Sequence, residues 1–152
     1  MLKALTLSGS YYTGKYTKDD NKNCTRDRWS AGMQYNDGDL VVRGEYLNGV
    51  TGYYDGVTMD TDGNLIEQTY QSNGYYAVAG YNFRFGKDNG QKLMPVLRYE
   101  QFTNNGAATN YYTVGINYWP VKSLNFKLDY SLIQPDGGNN SHRVVGILSY
   151  KF

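Results

Sequence analysis

Residues 124–132 read Leu-Asn-Phe-Lys-Leu-Asp-Tyr-Ser-Leu, with an apolar or aromatic side chain at every even position and a polar one at every odd position. Successive side chains of a β-strand point to opposite sides of the sheet, so this alternation places all the large side chains on one face. An α-helix has 3.6 residues per turn and could not collect them on one side. The stretch therefore predicts a strand with one apolar face and one polar face.

The same period of two recurs along the chain. Together with 124–132, the segments that show it make eight strands: 5–11, 29–35, 40–46, 75–85, 93–99, 112–118 and 144–152. Eight alternating segments predict an all-β, antiparallel, up-and-down sheet. The chain has 152 residues, a length typical of one domain, so we expect 1–152 to form a single domain.

The connections between these segments alternate in length. Three are short (36–39, 86–90 and 120–123), and four are longer (17–25, 48–73, 103–110 and 134–142). A β-sandwich with Greek-key connections gives no reason for such alternation. A transmembrane β-barrel does, because it has short turns on one side of the membrane and long loops on the other. We therefore favour an eight-stranded transmembrane barrel over a soluble sandwich.

Aromatic side chains collect at the ends of the predicted strands. They make up 16% of the chain, with 17 Tyr among them, which is too many for a disordered protein. Rings with polar edges concentrate where a membrane barrel meets water, so we expect two belts. One belt, toward the long connections, holds Tyr11, Trp29, Tyr46, Tyr75, Tyr99, Tyr112 and Tyr130. The other, toward the short turns, holds Tyr35, Phe83, Phe85, Tyr118, Trp119, Tyr150 and Phe152.

Composition excludes several classes of function. The 15 basic and 14 acidic residues give a net charge of +1, so we expect no nucleic-acid partner. One Cys and one His provide neither a disulfide framework nor a Cys/His metal cluster. Acids such as Glu45, Glu100 and Asp129 each have a cation two residues away, which favours the ionised form over a general acid. We expect no enzyme, no cofactor and no metal.

Three further features receive structural interpretations. Residues 60–64 (Asp-Thr-Asp-Gly-Asn) are similar to the start of a calcium loop but lack the downstream Glu. We expect a hairpin turn there, at the tip of a ribbon that extends beyond the membrane. Cys24 is expected to be an incidental surface cysteine, and His142 a solvated side chain.

Several motifs also resemble a known family. Tyr118-Trp119-Pro120, the stretch 124–130 and the final Tyr150-Lys151-Phe152 resemble the C-terminal half of the phosphate-selective porin O and P family, and 74–81 and 97–100 resemble its preceding strands. The resemblance implies a bacterial outer membrane, a sixteen-stranded pore and a homotrimer. The family's basic ladder lies largely in its earlier half, so no phosphate-binding residue is carried over. The terminal Phe is similar to the signal that outer-membrane barrels present for assembly.

The polar face then becomes the wall of the lumen. Three pairs, Arg43/Glu45, Arg98/Glu100 and Lys127/Asp129, place a cation and an acid on the same side of a strand. The predicted lumen-lining charges are Arg28, Arg43, Glu45, Arg84, Arg98, Glu100, Lys127, Asp129, Arg143 and Lys151. They indicate a mildly anion-favouring channel in a wide barrel, or a network of salt bridges that fills a narrow one. Both interpretations stay open.

Two functions follow from these alternatives. The first is passive diffusion of small hydrophilic solutes, with a weak preference for anions, through an outer-membrane barrel in contact with lipid. The second is a non-conducting small barrel that serves as an anchor or contacts a surface partner through 48–73. Residues 1–7 lack the basic and apolar regions of a signal peptide, so we expect the natural protein to be longer.

Overall fold

The computed structural model describes residues 4–18, 22–87 and 90–151. They form one antiparallel sheet with 78% of residues in strands, which confirms the all-β, up-and-down prediction. The long strands are hydrogen-bonded in chain order, and the short β5 pairs with β6. The strands are β1 Leu5–Lys18, β2 Lys22–Asn36, β3 Leu40–Tyr53, β4 Gln68–Tyr81, β5 Phe83–Phe85, β6 Gln91–Asn104, β7 Ala107–Val121, β8 Leu124–Pro135 and β9 Ser141–Tyr150.

The strand count of eight is wrong by one, because the predicted segment 75–85 breaks at Asn82. The buried Asn82 binds the neighbouring turn: its main-chain N–H donates to Asp39 O (2.8 Å), and its side-chain amide donates to Gly38 O (2.9 Å). β4 therefore ends at Tyr81, and a separate short strand β5 continues along β6.

Strands run further into the predicted long loops than expected. β6 and β7 are joined by Asn105-Gly106 alone, with φ angles of 48° and 86° that suit a two-residue hairpin turn. β1 and β2 extend to Lys18 and from Lys22. Polar residues continue these strands because the ladder is made by main-chain groups, which every residue except proline supplies in full. Only 54–67 remains a long connection among the described residues, so loop length separates the two ends of the sheet less sharply than predicted.

The sheet is open. β1 and β9 form its two edges, and the sheet does not close on itself. The strands of the sheet have two ends. We call the end near 37–39 and 122–123 the turn end, and the end near 54–67 and 105–106 the loop end.

Burial in this sheet is the reverse of that in a soluble protein. Within the described residues the only hydrophobic side chain that is fully buried is Cys24. Large side chains on the apolar face are exposed, for example Leu7 at 74% and Leu97 at 64%. On the polar face Ser131 is only 2% exposed. Side chains crowd on the polar face and spread apart on the apolar face, as they do when a sheet curves around its polar side.

Candidate functional site: the two faces of the sheet

The apolar face carries a continuous charge-free zone. Within the described residues its inner positions are occupied only by apolar, aromatic, alanine, glycine and proline residues, from Leu5, Leu7, Gly9 and Tyr11 in β1 to Val144, Gly146, Leu148 and Tyr150 in β9. In each long strand this zone, which we call the apolar band, covers about seven to nine residues, or roughly 20–27 Å of extended chain.

A row of rings borders the apolar band on the loop side. Trp29 and Tyr46 have ring centroids 5.1 Å apart, and Tyr99 lies 5.8 Å from Tyr75 and 5.1 Å from Tyr112. We call this border the tyrosine row, and its members come from seven strands as the sequence predicted: Tyr11, Trp29, Tyr46, Tyr75, Tyr99, Tyr112 and Tyr130.

The aromatic side chains at the turn end are less regular. The ring centroids of Tyr81 and Phe83 are 4.8 Å apart, and Phe85 stacks on Tyr118 with ring centroids 6.3 Å apart. The assignment of Trp119 to this belt is wrong. Trp119 pairs with Lys92 across β6 and β7 on the polar face, and the Lys92 Nζ lies 3.6 Å from the centre of its ring. Phe152 lies outside the described residues.

The opposite face brings together the side chains that were expected to line a lumen. One row across it consists of Arg43, Val78, Arg98, Thr113, Ser131 and Arg143. The adjacent row toward the loop end contains Glu45, Tyr76 and Glu100. Since neighbouring strands lie about 4.8 Å apart, Arg43 and Arg98 are roughly 10 Å apart at their backbones.

Two of the three predicted cation–acid pairs are direct ion pairs. Arg98 bonds to Glu100 at 2.6 Å, and Lys127 bonds to Asp129 at 2.8 Å. Glu45 instead accepts a hydrogen bond from the Tyr76 hydroxyl at 3.4 Å, and no ion pair joins it to Arg43 in the described part of the chain. The polar face therefore combines neutralised pairs with charged side chains, Arg43 and Glu45 among them, that make no ion pair within the described residues.

The remaining predicted charges lie at the margins of this face. Arg84 in β5 pairs with Asp39 at 3.3 Å and donates to Gly38 O, so it ties β5 to the 37–39 turn. Lys151 follows the end of β9, where its main-chain N–H donates to Ser123 O. In the turn, the main-chain N–H groups of Leu40 and Asp39 hold the pKa of Asp37 below its ordinary value.

Among the side chains that the structure describes, sequence reasoning missed two cations on the polar face. Arg26 lies two residues from Arg28 in β2 and so points to the same face. Its Cζ atom is 5.6 Å from the centre of the Tyr16 ring. Lys92 lies one residue before the predicted start of its strand at residue 93, whereas β6 begins at Gln91. Extending the alternation of odd and even positions over the full length of each strand would have found both cations.

The segment 58–66 forms the expected hairpin ribbon. Met59 and Leu65 make an isolated bridge, and Gly63 has a φ of 80°. Asp60 Oδ1 accepts the N–H groups of Asp62 and Asn64, and the bonds to Asn64 lower the pKa of Asp60. No group of three potential metal ligands occurs in the residues described.

Cys24 differs from its predicted environment, whereas His142 is exposed, as expected of a solvated side chain. Cys24 was expected at the surface, yet it is 1% exposed, opposite Tyr16 at the loop end of β1 and β2. His142 Nδ1 is 2.7 Å from the Tyr130 hydroxyl, next to the tyrosine row. Both side chains extend the network of contacts at the loop end.

A cavity of about 560 Å³ lies on the apolar face and another of about 610 Å³ lies on the polar face. The first is bordered by Ala77, Ala79 and Leu97, where the small alanines leave a depression in the apolar band. The second is bordered by Tyr12, Arg28 and Phe102 near the loop end. The two cavities differ in chemistry as the two faces do.

Comparison of the chain with protein-family models, with curated proteins and with solved structures finds no match. The resemblance to the phosphate-selective porins therefore stays a prediction. Among the described residues there is also no helix long and apolar enough to cross a bilayer.

Proposed function

We propose that this chain forms part of the wall of a water-filled outer-membrane β-barrel. In this arrangement the apolar band contacts lipid hydrocarbon, and the polar face lines a passage through which small hydrophilic solutes diffuse. The chemistry of the polar face favours anions weakly.

The observation that carries the proposal is the exposed, charge-free apolar band. Val144, Leu148 and Leu97 are 68%, 65% and 64% exposed, and they belong to one surface that runs from β1 to β9. Soluble monomers rarely expose apolar patches larger than a few hundred Å². Hydrocarbon removes the cost of this exposure, and the tyrosine row then lies where amphipathic rings are stable, at the boundary with water.

The two edges of the sheet support a closed assembly. Unpaired main-chain groups of β1 and β9 would cost several kcal/mol each in hydrocarbon, so both edges need partner strands. Closure of β1 on β9 would give a narrow barrel filled by its own side chains. Because the sheet is open, we favour a larger barrel in which further strands complete the wall.

The anion preference follows from the charges on the polar face. Glu100 and Asp129 are neutralised by Arg98 and Lys127. No ion pair engages Arg43 or Arg143 in the described part of the chain. Rings of uncompensated arginine favour anions in pores.

Single-channel recording tests the proposal. The chain is refolded into lipid vesicles, its insertion is checked by flotation and circular dichroism, and the vesicles are fused with a planar bilayer. We expect stable conductance steps, and a reversal potential in a KCl gradient that indicates anion preference. The double substitution Arg43→Gln/Arg143→Gln should shift that potential toward cation preference, whereas Lys122→Gln in the 122–123 turn should not.

The outcomes separate the parts of the proposal. Inserted protein that stays electrically silent contradicts the pore and supports a non-conducting barrel. Conductance without any shift in the double variant retains the pore and removes the assigned role of the two arginines. Failure of the chain to enter lipid contradicts a barrel wall that this chain completes alone or with further copies of itself.

A further inference from the structure

The cavity on the polar face has a floor made by two glycines. It has a volume of about 610 Å³ and lies between β1, β2, β3, β4 and β6. Gly49 and Gly74 are diagonal neighbours in β3 and β4, since Gly49 pairs with Ser72 and Leu47 pairs with Gly74. Without side chains at these two positions, the space above the sheet stays open.

Two large side chains lean over this floor from opposite sides. A Cβ added at Gly49 would lie 3.3 Å from Arg28 Cγ, and one added at Gly74 would lie 3.4 Å from the Phe102 ring carbon Cδ2. Arg28 and Phe102 are the register partners of these glycines in β2 and β6. A cation and an aromatic ring therefore face each other across the cavity.

Apart from Asn48 and Asn73, the rest of the lining is apolar or hydroxylic. Tyr12, Leu47 and Tyr70 contribute apolar surface. Ser10 and Ser30 are hydrogen-bonded to each other at 2.9 Å, and Ser72 donates to Asn104 at 2.9 Å. Among the described residues of the lining there is no carboxylate, and Arg28 is the one cation. No ion pair engages Arg28 in the described residues.

We infer that this cavity binds a small aromatic carboxylate. A guanidinium recognises a carboxylate through paired N–H donors, and flat apolar walls accommodate a ring. The volume falls within the range of about 300–1,000 Å³ found for small-molecule sites. A neutral or cationic ligand would leave Arg28 without a counter-charge.

This site goes beyond the proposed pore function. It requires the polar face to be open to water, but it does not require that the assembly conducts. Binding is therefore measured on the inserted chain in lipid nanodiscs without a membrane potential, independently of the conductance experiment.

Isothermal titration calorimetry with benzoate tests the inference, with benzamide as the neutral analogue of the same shape. We expect saturable binding of one benzoate per chain and binding of benzamide at least about tenfold weaker. Arg28→Gln removes the charged donors that would bind the carboxylate, so it should weaken benzoate binding about tenfold or more. Lys122→Gln, which removes the same charge from a turn, should leave it unchanged.

A second variant guards against a folding defect in Arg28→Gln. Gly49→Val fills the floor and displaces the flexible Arg28 side chain while the guanidinium remains in the chain, and it should abolish saturable binding. Three results would overturn the inference. They are equal affinity for benzoate and benzamide, unchanged affinity in a folded Arg28→Gln or Gly49→Val variant, and no saturable binding to the inserted parent chain. A chain that conducts without binding benzoate contradicts this site alone, and one that binds without conducting contradicts the pore alone.

Discussion

The apolar band and the part of the sheet beyond the tyrosine row are made from the same strands, yet they are held together differently. Between the aromatic borders, the apolar face carries no charge in any described residue. Beyond the tyrosine row the same face carries Lys15, Asp27 and several amides. We call this second region the loop-side extension; as far as it is described, it comprises 12–28, 47–74, 100–111 and 131–143.

Side-chain hydrogen bonds are concentrated in the loop-side extension. Thr13 donates to Asp27 at 2.6 Å, and the Tyr16 hydroxyl donates to Gly52 O at 2.8 Å. Glu67 accepts bonds from the main-chain N–H and the hydroxyl of Thr25 at 2.5 and 3.3 Å. The apolar band makes few such bonds and depends on the solvent that covers it. The difference predicts that the two regions fail under different perturbations.

The largest effect is expected from a charge in the apolar band. Leu128 in β8 is 54% exposed on the apolar face. An arginine there would cost roughly 2–4 kcal/mol near the middle of a bilayer. We expect Leu128→Arg to prevent folding into lipid vesicles, measured by circular dichroism and flotation.

The adjacent residue provides the matched control. Lys127 lies on the polar face and is paired with Asp129, so Lys127→Gln removes a charge without placing one in hydrocarbon. It should fold with nearly the parent yield. Equal yields for Leu128→Arg and Lys127→Gln would reject the assignment of the two faces.

The alternation of side chains was sufficient to predict the apolar band. Each face of β8 follows from one stretch of sequence, and the register then aligns Leu128 with Ile116 and Gly146 in the neighbouring strands. The tyrosine row was predictable for the same reason, because strands of similar length place their ring-bearing ends at the same level.

Strand ends and irregularities were not predictable in this way. Successive residues such as Thr103 and Asn104 place polar side chains on both faces of the strand. Their sequence therefore does not distinguish a strand from a loop. The register shift between Tyr118 and Val121 depends on pairing with β8, and it lies next to the misassigned Trp119. The cavity above Gly49 and Gly74 combines residues from five strands, which no single stretch of sequence brings together.

A smaller effect is expected in the loop-side extension at Gly52. A Cβ at this buried residue would overlap the Glu67 carboxylate and come within 2.9 Å of Thr25 N. Gly52→Ala should displace Glu67 and leave the Thr25 N–H without its acceptor, at a cost of about 1–3 kcal/mol. We expect faster amide exchange at Thr25 and a lower denaturation midpoint, with insertion into lipid retained.

Gly146→Ala is the matched substitution within the apolar band. A Cβ at Gly146 meets nothing within 4 Å, so this variant should exchange and denature like the parent chain. Comparable destabilisation by both substitutions would show that glycine matters to the strands generally, and would contradict the assigned role of the Glu67–Thr25 contact.

The smallest effect is expected from acid, and only in the connection at the loop end. Asp55 accepts bonds from the Thr58 hydroxyl (2.5 Å), the Thr58 N–H (2.8 Å) and the Val57 N–H (2.9 Å). These bonds, the Thr58 hydroxyl first, lower the pKa of Asp55 from 3.8 to about 2. Because the folded-state pKa is depressed, the stabilisation is complete above about pH 4 and is lost as the pH falls toward 2.

NMR titration should show the Val57 and Thr58 amide shifts changing with a midpoint near 2, while amides of the apolar band stay constant. A midpoint near 3.8, or equal shifts in both regions, would contradict this account of the turn; in Asp55→Asn the transition should be absent.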